Sequence, residues 1–200
     1  MCTFKWIAVT NRTLCEGPLT EQVAYLADSL QKPDMLILRE KDVREEEYRT
    51  LALQIKNICE KNAIEFIPHS FYHVAEELQC NSIHLPLYLL EKMQKEKEMA
   101  GKFSVIGASV HSVEEAVQAY NLGATYVTAG HIFPTDCKKG LPARGLEFLK
   151  AVCDSVPIPV YAIGGIKAEH EKLLQQAGAK GGCRMSDYMK KKRKREENDK

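Results

Sequence analysis

The chain has 200 residues, of which 44% are hydrophobic, and a formal net charge of +1 at pH 7. This size suits one globular domain with a substantial buried core and leaves no obvious room for a second domain. The near-neutral charge gives no general reason to expect nucleic acid or an acidic membrane surface as a partner, and no apolar stretch approaches the length of a membrane span. The start of the chain lacks a basic leader and a long apolar core, which predicts a cytoplasmic protein.

Short β-rich runs alternate with amphipathic stretches, and the unit recurs about every twenty to thirty residues. The predicted strands are Lys5 to Val9, Met35 to Arg39, Ile64 to Pro68, Ser82 to Leu85, Val105 to Ser109, Ala124 to Ala129, Pro159 to Ile163 and Lys180 to Arg184. The predicted helices are Leu19 to Gln31, Arg44 to Asn62, Phe71 to Leu78, Leu87 to Met99, Val113 to Leu122, Leu146 to Cys153 and Ala168 to Ala177. Eight such units predict a compact (β/α)₈ barrel, because parallel strands need both faces covered and closure removes the sheet edges.

The end of the chain departs from this order. After Tyr188 the residues are almost all charged, so the last helix is predicted to be atypical or truncated. We predict one barrel domain over residues 1–188 and a charged, disordered tail over residues 189–200. A nuclear-import or nucleic-acid role for the basic run is the alternative, but such a run is more typical of a solvated terminus.

The seven cysteines, at positions 2, 15, 59, 80, 137, 153 and 183, are odd in number and scattered. None forms a Cys-x-x-Cys pair, so they indicate reduced thiols in a cytosolic protein and neither a disulfide framework nor a zinc site. His69 and His73 are four residues apart, but a predicted strand-to-helix bend separates them and no third ligand is evident. We therefore predict no metal site and no cofactor.

The functional site is predicted at the carboxyl ends of the strands, where barrel enzymes place their chemistry. These ends carry Arg39, Lys41, His69, His84, Ser109, His111, the run from His131 through Lys139, Gly164, Gly165, Met185 and Ser186. A mouth rich in basic residues and histidine predicts a small anionic ligand, in particular a phosphorylated one. The turn at Gly164 and Gly165, together with the amides that open the segment after the eighth strand, is the usual phosphate position of this fold.

Three segments carry a resemblance to a known family. They are Ile106-Gly107-Ala108-Ser109-Val110-His111-Ser112, the run Gly130-His131-Ile132-Phe133-Pro134-Thr135-Asp136-Cys137-Lys138-Lys139-Gly140, and Ala162-Ile163-Gly164-Gly165-Ile166. In this order and at this spacing they resemble the thiamin phosphate synthase superfamily, and within it most closely the TenI-type thiazole tautomerases. The resemblance implies a (β/α)₈ barrel, a phosphorylated thiazole as the small-molecule partner, and a homo-oligomer.

Three departures favour the tautomerase branch. One is Cys137, which stands where the resemblance implies a second threonine in synthases. The resemblance implies that synthases carry acidic residues after the third and fourth strands, where they hold Mg²⁺ against a diphosphate. This chain has His69-Ser70 and His84-Leu85-Pro86-Leu87 at those places. Displacement of a diphosphate without that metal would lose most of its charge stabilisation.

The tautomerase resemblance implies an isomerase of thiamin biosynthesis that converts a thiazole carboxylate phosphate tautomer to its aromatic form. His131 would carry the proton, since the reaction needs a group that titrates near neutral pH. Gly164, Gly165, Met185 and Ser186 would bind the phosphate. Arg39 and Lys41 would engage the carboxylate or stabilise the charge that develops during proton removal. The remaining predicted substrate-binding residues are Ser109, His111, Thr135 and Lys138.

Several alternatives stay open. The chain would act as a thiamin phosphate synthase if it joined hydroxymethylpyrimidine diphosphate to thiazole phosphate, and as a regulator if it bound the thiazole phosphate without catalysis. Single residues also have structural alternatives to the roles given above. His131 would then cap a loop, and His111 would be a helix-entry residue beside Ser112. Thr135 and Lys138 would have a structural or lid role.

Overall fold

The computed structural model describes residues 3–96, 99, 101–135 and 140–190. It confirms the predicted (β/α)₈ barrel, with eight parallel strands in the order β3-β2-β1-β8-β7-β6-β5-β4. The strands are β1 Lys5–Val9, β2 Met35–Leu38, β3 Glu65–Pro68, β4 Ser82–Pro86, β5 Val105–Val110, β6 Tyr126–Gly130, β7 Val160–Ile163 and β8 Gly181–Arg184. Their apolar, β-branched runs suit strands that are covered on both faces.

The helices cover the outside of the barrel. They are α1 Leu19–Ala27, α2 Glu45–Lys61, α3 Tyr72–Glu77, α4 Leu87–Lys95, α5 Val113–Asn121, α6 Gly145–Ser155, α7 Glu171–Gln176 and α8 Ser186–Met189. Two of them, α1 and α4, end four residues earlier than predicted. Helix α1 ends at Ala27, six residues ahead of Pro33, and α4 ends at Lys95, just before Glu96, whose carboxylate accepts a hydrogen bond from the Tyr72 hydroxyl at 2.7 Å.

The barrel closes between β3 and β4. His69 and His84 form a parallel bridge there, and the Ser70 amide donates to the His84 carbonyl at 3.0 Å. Because this contact lies at the carboxyl end of both strands, closure brings the two histidine side chains into the mouth region.

Side chains alternate along each strand between the barrel interior and the helix layer. The interior is filled by an apolar cluster whose members are Ile7, Val9, Met35, Ile37, Ile67, Tyr126, Tyr161 and Cys183. Continuing the same alternation by two residues towards the carboxyl ends gives Arg39, His69 and Met185, and on β4, β5 and β6 the same face carries His84, Ser109 and Thr128. The interior therefore changes from apolar to polar at its carboxyl end.

Arg184 belongs to the outward face of β8, which explains how a charged residue is tolerated on a barrel strand. Its guanidinium lies over the rings of Trp6 and Tyr188, at 5.2 and 4.4 Å from their centroids, and contacts Asp187. Aromatic faces stabilise a buried cation, so Arg184 joins β8 to the short helix α8.

Helix α8 has four residues, Ser186–Met189, which confirms a truncated last helix. The part of the predicted tail at residues 191–200 lies outside the described residues, so the division into barrel and tail stays a prediction. Five described cysteines, Cys15, Cys59, Cys80, Cys153 and Cys183, are free thiols, and burial raises the pKa of Cys59 to about 12. Within the described ranges, no helix has the length and apolar character that crossing a membrane requires.

Candidate active site

A broad cavity of about 1810 Å³ opens at the carboxyl ends of the strands. It contains the predicted site residues Arg39, Lys41, Ser109, His111, His131, Thr135, Gly164, Gly165, Met185 and Ser186. Lys138, the remaining predicted residue, lies outside the described residues. The volume exceeds the roughly 300–1,000 Å³ typical of a single small-ligand site, so there is room for two small substrates.

The turn after β7 is built from Gly164 and Gly165, which have φ angles of +98° and +66°. A Cβ on Gly164 would lie 2.3 Å from the Cβ of His131, and one on Gly165 would lie 2.5 Å from the Pro134 carbonyl oxygen. Both the backbone angle and the close neighbours therefore require glycine. The turn packs directly against the segment that carries His131, and both form one wall of the cavity.

His131 follows β6 and is 9% exposed. Its backbone is held by the Arg144 amide, which donates to the His131 carbonyl at 3.0 Å, and the ring Nε2 lies 3.4 Å from the Leu141 carbonyl oxygen. The imidazole is thus fixed at the cavity wall beside the glycine turn. His131 has a geometry compatible with ligand contact, and its catalytic role stays a prediction.

Arg39 and Lys41 bring positive charge to the cavity from the end of β2, and Glu40 between them is a residue that the sequence reasoning missed. Its buried carboxylate accepts hydrogen bonds from the Thr10 hydroxyl at 2.7 Å and from the Arg12 amide and guanidinium, both at 3.1 Å. The Thr10 hydroxyl in turn accepts from the Arg39 amide at 2.9 Å. Glu40 is therefore connected through Thr10 to the backbone of Arg39, the first of the two cavity cations.

Asp42 completes this network from the surface, through two hydrogen bonds from the Arg12 guanidinium at 2.6 and 2.8 Å. These bonds lower the pKa of Asp42 and raise that of Arg12. The sequence offers no local signal for this role of Glu40, because Thr10, 30 residues away, meets it only once β1 and β2 pair.

His111 joins the end of β5 to β6. Its Nδ1 lies 2.9 Å from the Gly130 carbonyl oxygen, and its amide donates to the Glu115 carboxylate at 2.5 Å. Ser112, the next residue, caps α5 by accepting from the Glu115 amide at 3.1 Å. The structural alternative for His111 is therefore present in the fold, while its ring also faces the cavity.

His69 and His84 stack at the barrel mouth, with ring centroids 5.5 Å apart. Burial lowers the pKa of both, to about 3 for His84, and the positive charges of Arg39 and Lys41 lower it further. Both rings are therefore neutral near pH 7. They line the interior as polar, uncharged groups beside two cations.

A hydrogen-bonded chain connects the cavity to the barrel interior. His84 Nε2 lies 2.9 Å from the Ser109 hydroxyl oxygen and 3.4 Å from that of Thr128, and His84 Nδ1 lies 3.0 Å from the Tyr126 hydroxyl. Sequence reasoning included Ser109 and noted His84 at a strand end, but missed Thr128 and Tyr126. Their spacing of two residues on β6 was the available signal, because it places both on the interior face.

A resident magnesium ion does not fit the residues described. Mg²⁺ takes oxygen ligands, chiefly carboxylates, whereas the ends of β3 and β4 supply the imidazoles of His69 and His84. Across residues 3–96, 99, 101–135 and 140–190, no group of three or more His, Cys, Asp or Glu side chains forms a ready-made metal site. Arg39 and Lys41, which follow β2, bring positive charge to the same cavity.

Comparison with known proteins gives the family. The family described as "Thiamine monophosphate synthase" matches residues 6–187. A thiamine-phosphate synthase from Fusobacterium nucleatum subsp. nucleatum is 32% identical over 185 residues, covering 92% of this chain and 88% of its own, and one from Clostridium botulinum is 34% identical over 174 residues, covering 86% and 84%. The structure of a thiamine phosphate pyrophosphorylase from Pyrococcus furiosus superimposes with a TM-score of 0.78 at 28% identity, covering 94% of this chain and 89% of that one.

These relatives overturn the prediction of a thiazole tautomerase, which was wrong. It depended on three departures from the synthase pattern, at His69-Ser70, His84-Leu85-Pro86-Leu87 and Cys137, whereas the similarity to proteins named as synthases extends over 185 residues. The predicted superfamily is confirmed, and the assignment to an isomerase is withdrawn. The chain is an enzyme of thiamin biosynthesis that belongs to the thiamine monophosphate synthase family.

Proposed function

We propose that the chain is a thiamine-phosphate synthase, a transferase that joins hydroxymethylpyrimidine diphosphate to thiazole phosphate. The thiazole nitrogen forms a bond to the methylene carbon of the pyrimidine, and the bond from that carbon to the diphosphate oxygen breaks. Diphosphate leaves with the electron pair of the broken bond. The reaction has no net redox change.

The observation that carries this proposal is that one cavity is lined by both a glycine turn and two cations. The chain is also similar over most of its length to proteins named thiamine-phosphate synthase. The turn at Gly164 and Gly165, with Met185 and Ser186 beside it, suits the thiazole phosphate, because glycine leaves backbone amides accessible to phosphate oxygens. Arg39 and Lys41 follow β2 and suit the diphosphate, whose negative charge grows as the bond breaks.

The reaction requires the two substrates to meet with the nitrogen facing the methylene carbon. Binding both in one cavity makes this encounter intramolecular, which is a large part of what an enzyme contributes to such a reaction. The neutral rings of His69 and His84 add no positive charge that would compete with Arg39 and Lys41 for the diphosphate. Ser109, His111, His131 and Thr135 are proposed to contact the substrates within this space.

The test is formation of thiamine phosphate from the two substrates, with Mg²⁺ supplied in the buffer. The amount of product is measured by chromatography. We expect turnover by the wild type and a loss of about 10²-fold in kcat/KM for Arg39→Gln or Lys41→Gln, as for removal of a group that stabilises developing negative charge. Lys150→Gln is the control, because Lys150 pairs with Asp154 on the exposed face of α6.

Binding of thiamine phosphate without turnover by the wild type would contradict the synthase and favour the non-catalytic alternative. A homo-oligomer and a cytoplasmic location stay predictions, and the oligomeric state is measured by light scattering of the same preparation.

A further inference from the structure

Tyr126, His84 and Ser109 form a series of hydrogen bonds. In only one arrangement of donors and acceptors does the buried Tyr126 hydroxyl have an acceptor for its proton. Tyr126 is 3% exposed and His84 is 2% exposed, so neither can turn to water for a partner. Among the described residues, the acceptor that the structure gives the Tyr126 hydroxyl is His84 Nδ1, at 3.0 Å. A buried hydroxyl without an acceptor costs about 1–3 kcal/mol, which favours the arrangement in which Tyr126 donates.

The direction at Tyr126 determines the other ring nitrogen. If Nδ1 accepts, a neutral imidazole carries its proton on Nε2. That proton lies between the Ser109 oxygen at 2.9 Å and the more distant Thr128 oxygen at 3.4 Å. The Ser109 oxygen is then an acceptor towards His84, and its own proton is left to point elsewhere.

Ser109 is the member of the chain that meets the cavity and is only half-buried. We propose that His84, with its tautomer fixed by Tyr126, is a positioning residue that presents the Ser109 hydroxyl to the cavity as a hydrogen-bond donor. The ligand atom that it recognises is an unprotonated acceptor, either a ring nitrogen or a phosphoryl oxygen. The inference deepens the proposed function and rests on it for the choice of thiamine phosphate as a probe.

Two further features show that the barrel is built around this contact. A Cβ on Gly107 would lie 2.1 Å from the Tyr126 Cζ and 2.4 Å from His84 Nδ1, so the glycine on β5 leaves the space in which the two groups meet. Burial together with the cations Arg39 and Lys41 keeps His84 neutral, and burial raises the pKa of Tyr126. The side chains of Tyr126, His84 and Ser109 are therefore all uncharged. The hydrogen bond from Tyr126 determines which nitrogen of His84 carries the proton, and no charge moves between them.

The first test is nitrogen-15 NMR of the histidine rings in the unliganded wild type, which requires neither ligand nor activity. We expect His84 to carry its proton on Nε2, with Nδ1 showing the signal of an unprotonated, hydrogen-bonded nitrogen. In Tyr126→Phe the Nδ1 signal should move to that of a nitrogen without a hydrogen bond. A proton on Nδ1 in the wild type, or no movement in Tyr126→Phe, overturns the inference.

The second test is a double-mutant cycle on the affinity for thiamine phosphate, measured by calorimetry. Ser109→Ala and His84→Leu should each weaken binding about 5- to 10-fold, as for one hydrogen bond, and the double variant should be no weaker than either single one. His84→Gln, whose amide can still donate, should recover most of the loss. Ser82→Ala is the control, because it removes another buried hydroxyl of β4, one that donates to the Phe66 carbonyl at 3.0 Å.

The outcomes separate the two proposals. Multiplied losses in the double variant would mean that His84 affects binding independently of Ser109, which overturns the positioning role. Equal losses with inorganic phosphate as the probe identify a phosphoryl oxygen as the acceptor, and losses with thiamine phosphate alone identify a ring nitrogen. If the wild type binds no thiamine phosphate and shows no turnover, the synthase proposal fails. The nitrogen-15 measurement of the His84 tautomer then still tests the positioning role of His84.

Discussion

At the scale of single residues, the glycine turn of the cavity is the sharpest case in which geometry restricts the sequence. Gly165→Ala would combine a φ of +66° with a Cβ 2.5 Å from the Pro134 carbonyl oxygen. We expect it to lower the free energy of unfolding by about 2–4 kcal/mol, from backbone strain and forced displacement together. Urea denaturation measures this.

The matched control for that glycine is Gly101, which has a φ of +80° but where an added Cβ would meet no atom of the described residues within 4 Å. Gly101→Ala should lower the free energy of unfolding by only about 1 kcal/mol, from the backbone angle alone. Equal losses in the two variants would show that the neighbours of Gly165 adapt without cost.

Glu40 is a buried carboxylate outside the cavity that supports the segment carrying Arg39 and Lys41. Glu40→Gln keeps the shape but removes the charge that meets Arg12, so we expect a loss of about 1–3 kcal/mol in unfolding free energy. The KM of the synthase reaction should also rise, because Arg39 is held through Thr10. Asp42→Asn, at an exposed carboxylate bonded to the same Arg12, should change stability by less than about 1 kcal/mol and leave KM unchanged.

At the scale of elements, the short helix α8 packs on the barrel through two buried side chains, Tyr188 and Met189. Tyr188 is 1% exposed, its ring lies under Arg184, and its carbonyl accepts from Gln22 on α1 at 2.6 Å. Tyr188→Ala should therefore lower the free energy of unfolding by about 3–5 kcal/mol, as for other large aromatic truncations in a core.

Tyr120 on α5 provides the comparison for α8, since it is 42% exposed. Tyr120→Ala should cost less than about 1 kcal/mol in guanidinium denaturation. A similarly small loss in Tyr188→Ala would show that α8 contributes little to the barrel.

The strands also show how much of the site was predictable from sequence. The period of two correctly predicts that residues such as Arg39 and Ser109 reach the mouth, and the glycine pair predicts the turn after β7. It did not reveal that Glu40 and Tyr126 support them, because hydrogen-bond partners 30 or 42 residues apart depend on which strands become neighbours.

At the scale of the whole molecule, two buried neutral histidines make stability depend on pH. His84 has a pKa of about 3 when folded, against about 6.5 when exposed, so the unfolded chain binds the extra proton between these values. Stability is then fully present above about pH 6.5 and is lost as the pH falls towards 3, by about 1.4 kcal/mol per pH unit for this one group. His69 acts in the same direction.

The measurement is urea denaturation of the wild type and His84→Gln between pH 7 and pH 4. The variant should be less stable at pH 7 and should show a slope shallower by about 1.4 kcal/mol per pH unit below pH 6. Parallel curves would mean that His84 takes up its proton in the folded state.

The sequence by itself determined the barrel, the end of the barrel that carries the site, and the superfamily. Hydrophobic period, glycine positions and motif order can be read along the chain without knowing which residues are in contact. It led to the wrong reaction, because a few local departures from the synthase pattern were given more weight than the similarity of the chain as a whole. The tertiary structure alone decided that Glu40 supports Arg39 through Thr10, that Arg184 is buried between two rings, and that His84 connects Tyr126 to Ser109. These depend on strand closure and burial, which fix distances and protonation between residues far apart in the chain.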